Sequence, residues 1–210
     1  MMLAVVSLFG PAASARAEAI ELTLQKPGVP PPNFEFWRAD QVDFGHWSVV
    51  RDPTVHDGSA IQESTPDHSD QPSLAVYQLV SAANVRVRAR FKLIDGKLPS
   101  AGIAVRVTSP QDYYLVRVSA FEGRVSLVRV HDGVAEEIAG AAADIAEDHW
   151  QTLEVVADGD GFTISLDDRW VLTAFDRHGV QNGKIALWTE KSDVTQFDQV
   201  EISPAEAVTN

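Results

Sequence analysis

Arg106, Tyr113, Arg117 and Trp188 are the residues of this chain with the most chemistry in them. Each sits in a run where residue types alternate, and alternate side chains of a β-strand point to opposite faces. In Ala101–Thr108, Ile103, Val105 and Val107 share one face, and Ala104 and Arg106 share the other. In Tyr113–Val118, Tyr114, Val116 and Val118 oppose Tyr113, Leu115 and Arg117. In Gly183–Thr189, inward Ile185 and Leu187 send Trp188 outward. With the valine-rich faces inside, two guanidiniums, a phenol and an indole gather on one outer face. That set suits a polyol, because rings stack on sugar CH faces and guanidinium forks donate to hydroxyls or carboxylates. The competing expectation is that Arg106 and Arg117 pair with acidic neighbours and Trp188 fills an apolar groove.

Other chemistries have less support. Glu122, Asp176, Glu190, Asp193 and Asp198 lie near loops and could supply acid–base pairs or metal oxygens. His46, His56, His68, His131, His149 and His178 lack close ligand spacing, and the absence of cysteine weakens zinc further. No G-x-S-x-G elbow, P-loop or dinucleotide fingerprint occurs, so serine and phosphoryl chemistry are unsupported.

The elements that must position these groups are strands. Asn84–Leu93 reads NVRVRARFKL, with Val85, Val87, Ala89, Phe91 and Leu93 alternating against Arg86, Arg88, Arg90 and Lys92. One face is apolar and one basic, and a solvated sheet face with acidic cross-strand neighbours accounts for the basic one. Similar runs recur between Asp-Gly turns at Asp95, Asp132, Asp158 and Asp160, a pair that accepts the positive φ of tight hairpins. About fourteen short strands, from Phe34–Arg38 to Thr195–Ile202, are expected. So many strands in one domain must split into two stacked antiparallel sheets. Only Ala139–Asp148 is read as a helical turn.

The 210 residues suffice for one such sandwich without metal or disulfide. The net charge of -13 disfavours nucleic acid and anionic lipid as partners. Residues 1–19 read as an export signal: Met1–Gly10 is apolar, Pro11 breaks the run, and Ala15-Arg16-Ala17 or Ala17-Glu18-Ala19 offers a cleavage pattern. No Lys or Arg precedes the apolar run. An exported protein, periplasmic or extracellular, is therefore expected, and no later stretch is long enough to span a membrane. Residues 20–33 form a proline-rich lead-in, 34–203 the sandwich and 204–210 a tail.

Several segments resemble, in order, those of concanavalin A-like jelly-roll domains, closest to the bacterial 3-keto-disaccharide hydrolase-like group (DUF1080). They are HWSVVRDPTVHDGSAIQ from His46, RFKLIDGKLPSAGIAVRV from Arg90, DYYLVRVSAFEGRVSLVRV from Asp112, HWQTLEVVADGDGFTISLDD from His149 and GKIALWTEKSDVTQFDQVEI from Gly183. The resemblance implies a jelly roll whose ligand lies across the concave sheet face or its edge loops. It implies a carbohydrate or related polyol as partner and places Gln62 at a polar family position. A structural calcium near the termini would fall to Asp193 and Asp198, although no D-x-D-x-D-G loop exists. The Glu-x-Asp-x-Glu strand motif of laminarinase-type glycosidases is absent, which argues against hydrolysis of that two-carboxylate type. The expectation is thus a carbohydrate-binding module without strong catalysis. Its rivals are a hydrolase or lyase of 3-keto-glycosides, with Glu122, Asp176 or His178 as the general base, and a structural or adhesion sandwich. Where the group is rich in Asn before Glu, this chain reads SAFEG, Ser119–Gly123, which departs from the pattern.

Overall fold

A computed structural model describes residues 18–20, 25–38, 47–55, 57–64, 71–179, 181–190 and 193–205. Most of the expected export signal and most of the tail lie outside them. The described residues form fifteen strands and no helix. Ala139–Asp148 is no exception, because its first half continues a strand as far as Ala142.

One antiparallel sheet runs in the order β13 (Arg169–Phe175), β12 (Gly161–Leu166), β11 (Gln151–Asp158), β6 (Val85–Asp95), β15 (Val194–Ser203), β4 (Ser59–Ser64) and β3 (Trp47–Arg51). The two-residue β1 (Glu18–Ala19) adds to it beside β15, making eight strands. The second sheet has seven: β10 (Val134–Ala142), β9 (Arg124–His131), β8 (Asp112–Ser119), β7 (Ser100–Ser109), β14 (Gly183–Thr189), β5 (Ser73–Ala82) and β2 (Phe34–Arg38). Inward side chains of both sheets, including Val87, Phe91, Ile103, Val116, Leu153, Phe162, Leu187 and Phe197, build the shared core. This is the two-sheet antiparallel sandwich that the alternation predicts and the jelly roll that the resemblance implies.

The basic face of β6 is satisfied as expected. Arg86 and Arg88 reach Glu154, Arg88 also reaches Asp168, Arg90 faces Asp198, and Lys92 pairs with Asp52. The lead-in is bound to the sandwich: Gly28 donates to the Val49 carbonyl, and Val49 donates to that of Val29, both at 2.8 Å. Those bonds cover an edge strand that would otherwise present free backbone groups.

β7 contains the irregularity that matters most. Ala104 stands opposite Ala186 and Val107 opposite Lys184, so Val105 and Arg106 together face Ile185. This is a β-bulge, and Arg106 takes a φ of 54° within it. The extra residue inverts the alternation beyond it. Arg106 turns inward, and Val107 joins the outer cluster with Ala104.

Candidate functional site

The outer face of the seven-stranded sheet is apolar where an ordinary solvated face would be polar. Tyr113 and Leu115 on β8 and Val128 and Val130 on β9 cluster with Ala104, Ala186 and Trp188. Strand register explains the grouping. One row across the sheet runs Ser126, Arg117, Gly102, Trp188, Leu74 and Trp37. The next runs Glu137, Val128, Leu115, Ala104, Ala186 and Val76. A Cβ on Gly102 would lie 2.6 Å from Leu115, 2.8 Å from the Val116 carbonyl oxygen and 3.4 Å from the Trp188 ring, so glycine lets the β8 backbone and both side chains close on β7.

A groove of 390 Å³ opens on this face, floored by Leu115, Val128, Val130 and Trp188. Tyr113, Arg117, Glu137 and Glu190 bring polar groups to it. Burial pushes the Tyr113 phenol up to about 12, only partly offset by the nearby Trp188 N–H. The phenol therefore stays neutral at physiological pH and can both donate and accept. The Trp188 N–H is buried without an acceptor in hydrogen-bonding geometry. Arg117 donates to both carboxylate oxygens of Glu122, at 2.7 and 2.9 Å, and stands 3.9 Å from Glu190. Glu137 accepts from Arg124 and Ser126, which hold its carboxyl below the usual range. Past Tyr113 and Val130 a second hollow of 240 Å³ continues toward Arg129, His131 and His178.

The structure brings Tyr113, Arg117 and Trp188 together, but Trp188 is only 3% exposed and is a buried part of the floor rather than an open stacking platform. Arg106 is a correction. The bulge aims it between the sheets, where it is fully buried, donates to the carbonyls of Ala83 (3.0 Å) and Gly159 (2.6 Å), and lies over Phe162. It ties two turns to β7 and cannot reach the groove. Gln62 is also elsewhere, on the eight-stranded sheet, where its amide oxygen accepts from Gln196.

Among the base candidates, Glu122 is committed to Arg117 at the groove's margin. Asp176 is buried and accepts from Tyr114, Arg129 and the backbone and ring of His178. Burial alone would raise its pKa, but those donors outweigh it and lower it, which suits an anchor rather than a base. His178 is exposed at the rim of the second hollow.

The calcium candidates differ. Asp193 accepts backbone N–H groups of Ser100 (3.1 Å) and Leu98 (3.5 Å), so it fastens the loop before β7 and offers no ligand set. Asp198 is 2% exposed, its oxygens lack hydrogen-bond donors, and the Arg90 guanidinium stands 3.4 Å away. With Arg90 and Lys92 supplying the local positive charge, it fits a calcium site poorly. Sequence spacing did not reveal that Asp112, His131 and Asp132 lie within ligand reach of one another, an exposed cluster whose members already pair internally.

Residues 32–203 match the 3-keto-alpha-glucoside-1,2-lyase-like domain. The chain belongs to that family. No curated protein matches it. Among solved structures, this chain is similar to carbohydrate-binding module CBM66 from Bacillus subtilis, with a TM-score of 0.64 and 22% identity over 82% of this chain and 98% of that one. Domain 4 of AbnA, a GH43 extracellular arabinanase from Geobacillus stearothermophilus solved with arabinotriose, gives 0.64 and 14% over 91% and 94%. The Bacillus licheniformis beta-glucanase gives 0.56 and 9% over 91% and 98%. At these identities the likeness establishes the concanavalin A-like fold.

Proposed function

We propose that this protein is an exported carbohydrate- or polyol-binding domain whose ligand lies in the groove of the seven-stranded sheet. The observation that carries the reading is an apolar floor meeting Tyr113, Arg117, Glu137 and Glu190 in one 390 Å³ groove. Apolar walls with a few fixed polar groups are the anatomy of a small-molecule site, and a sugar offers a CH face and hydroxyls to match. Arg117 donates, while Glu137 and Glu190 accept. Membership of a family named for glycoside chemistry supports the ligand class, as does likeness to a carbohydrate-binding module and to an arabinanase domain solved with arabinotriose. The apolar N-terminus supports export, with the Ala15-Arg16-Ala17 pattern leaving Glu18 and Ala19 of β1 on the mature chain.

Calorimetric titration against a panel of neutral and acidic oligosaccharides tests this directly. Arg117→Ala and Trp188→Ala should each weaken binding at least tenfold, a loss of about 1.4 kcal/mol. A panel with no binder refutes the reading.

The family name favours a second reading, elimination or hydrolysis of 3-keto-glycosides. A 3-keto group acidifies the neighbouring C–H, so one carboxylate could start the reaction. Glu137 and Glu190 line the groove, whereas Asp176 is spent as an anchor. Incubation with a 3-keto-disaccharide, with and without chelator, separates the readings. Turnover lost in Glu190→Gln but not in Asp176→Asn would support it, and absence of turnover under both conditions would discard it.

A further inference from the structure

The groove does not account for the most exposed aromatics of the opposite sheet. Trp170 is 68% exposed and Phe175 is 72% exposed, and both lie on β13, the last strand of the eight-stranded sheet. They share its outer face. Leu172 and Ala174 on β13, with Phe162, Ile164 and Leu166 on β12, point into the core. Thr173 and Phe175 therefore point out beside Thr163 and Gly161, while a bulge keeps Trp170 outward opposite Ser165.

Both rings are held down against the sheet. The Trp170 indole N–H donates to the Thr173 hydroxyl at 3.1 Å, which lays the indole along its own strand. A Cβ on Gly161 would come within 3.3 Å of the Phe175 ring, so that ring rests over the neighbouring strand where a larger residue would lift it. Between the rings lie Thr163 and Thr173, whose hydroxyls are 3.4 Å apart. The partners of the two rings, Gly161 and Ser165, are four residues apart on β12, and the indole leans along β13 toward Thr173, which narrows the gap between the rings.

We propose that this face is a second carbohydrate surface, independent of the groove, which takes an extended, uncharged polysaccharide laid flat across β12 and β13. Three observations select that occupant. Two rings bracketing a pair of hydroxyls match a chain that alternates CH faces with hydroxyls. The rings belong to opposite ends of β13, so a ligand that meets both must lie along the strand. Asp168 and Asp160, which flank the strip, are each paired, with Arg88 at 2.6 Å and with Arg177 at 3.5 Å, which suits an uncharged ligand. A second protein would need about 800 Å² on each partner for a stable interface, far more than two rings supply.

The test is co-sedimentation of the protein with microcrystalline cellulose, insoluble xylan and insoluble chitin, comparing wild type with Trp170→Ser, Phe175→Ser and the double variant. Because both rings are exposed, the variants should keep the wild-type melting temperature. Wild type should pellet with at least one polymer, each single variant should lose about fivefold in retention, and the double variant at least tenfold. Soluble oligosaccharide binding in the groove should be unchanged in all three, and Trp188→Ala should still pellet, which keeps failure here distinct from failure of the groove. The proposal falls if wild type pellets with none of the polymers, or if the double variant pellets like wild type. It falls also if sedimentation velocity shows self-association that the double variant abolishes, since the face would then belong to a second copy.

Discussion

Arg106 and Arg117 were indistinguishable as residue types, yet they do opposite work. Arg106 is locked between the sheets by two backbone carbonyls, with one terminal nitrogen left without a partner. Arg106→Ala should cost about 3 kcal/mol in urea unfolding, from lost hydrogen bonds and an unfilled cavity, while leaving ligand affinity intact. Arg117→Ala should do the reverse, with a stability change within about 1 kcal/mol because its ion pairs are partly exposed. The buried acids make a second residue-level prediction. Burial pushes Asp193 and Asp198 up to about 6 from the ordinary aspartate value of 3.8. The folded chain thus binds more protons than the unfolded chain between those values, and this contribution to stability is present in acid and lost as pH rises through 6. The melting temperature should therefore gain from these two groups on going from pH 7.5 to pH 5. Asp198→Asn should raise stability at pH 7.5 by roughly 1–3 kcal/mol and flatten that pH dependence. A variant less stable than wild type at pH 7.5 would contradict the assignment.

At the scale of strands, the alternation of residue types predicted the sandwich because side-chain direction repeats every two residues whatever the neighbours are. It placed Tyr113, Arg117 and Trp188 on one face for the same reason. It misplaced Arg106 because Val105-Arg106-Val107 continues the alternation on paper, while the bulge inserts a residue only when β7 meets β14. Pairing across strands is not written in either strand alone. The groove floor did leave a signal: β8 and β9 are apolar on both faces, with Leu115, Val128 and Val130 opposite the core set. Such runs imply that something covers the second face. Asp176 could not be recognised as an anchor, because Tyr114 and Arg129 reach it from distant strands. Gly102 is the element-level lever. Gly102→Ala should push the Leu115 side chain and the Val116 carbonyl away from β7, lowering the melting temperature and weakening oligosaccharide binding at least tenfold. Unchanged affinity would show that the position of the Leu115 side chain is immaterial.

Over the whole molecule, a net charge of -13 coexists with sites whose own charges cancel in pairs. Arg117 balances Glu122, Arg124 balances Glu137, and Arg88 balances Asp168. Neutral-glycan affinity should therefore change less than twofold between about 50 and 500 mM salt, whereas a charged ligand would respond through screening. A tenfold change in titration would mean that the ligand is ionic.

One small pairing has a larger consequence. Glu18 lies against Ile202 and Ala19 against Glu201, so the sandwich takes in its chain and lets it go through neighbouring strands. A domain with adjacent entry and exit can be spliced into a loop of a host protein, or circularly permuted through a short linker, without breaking either sheet.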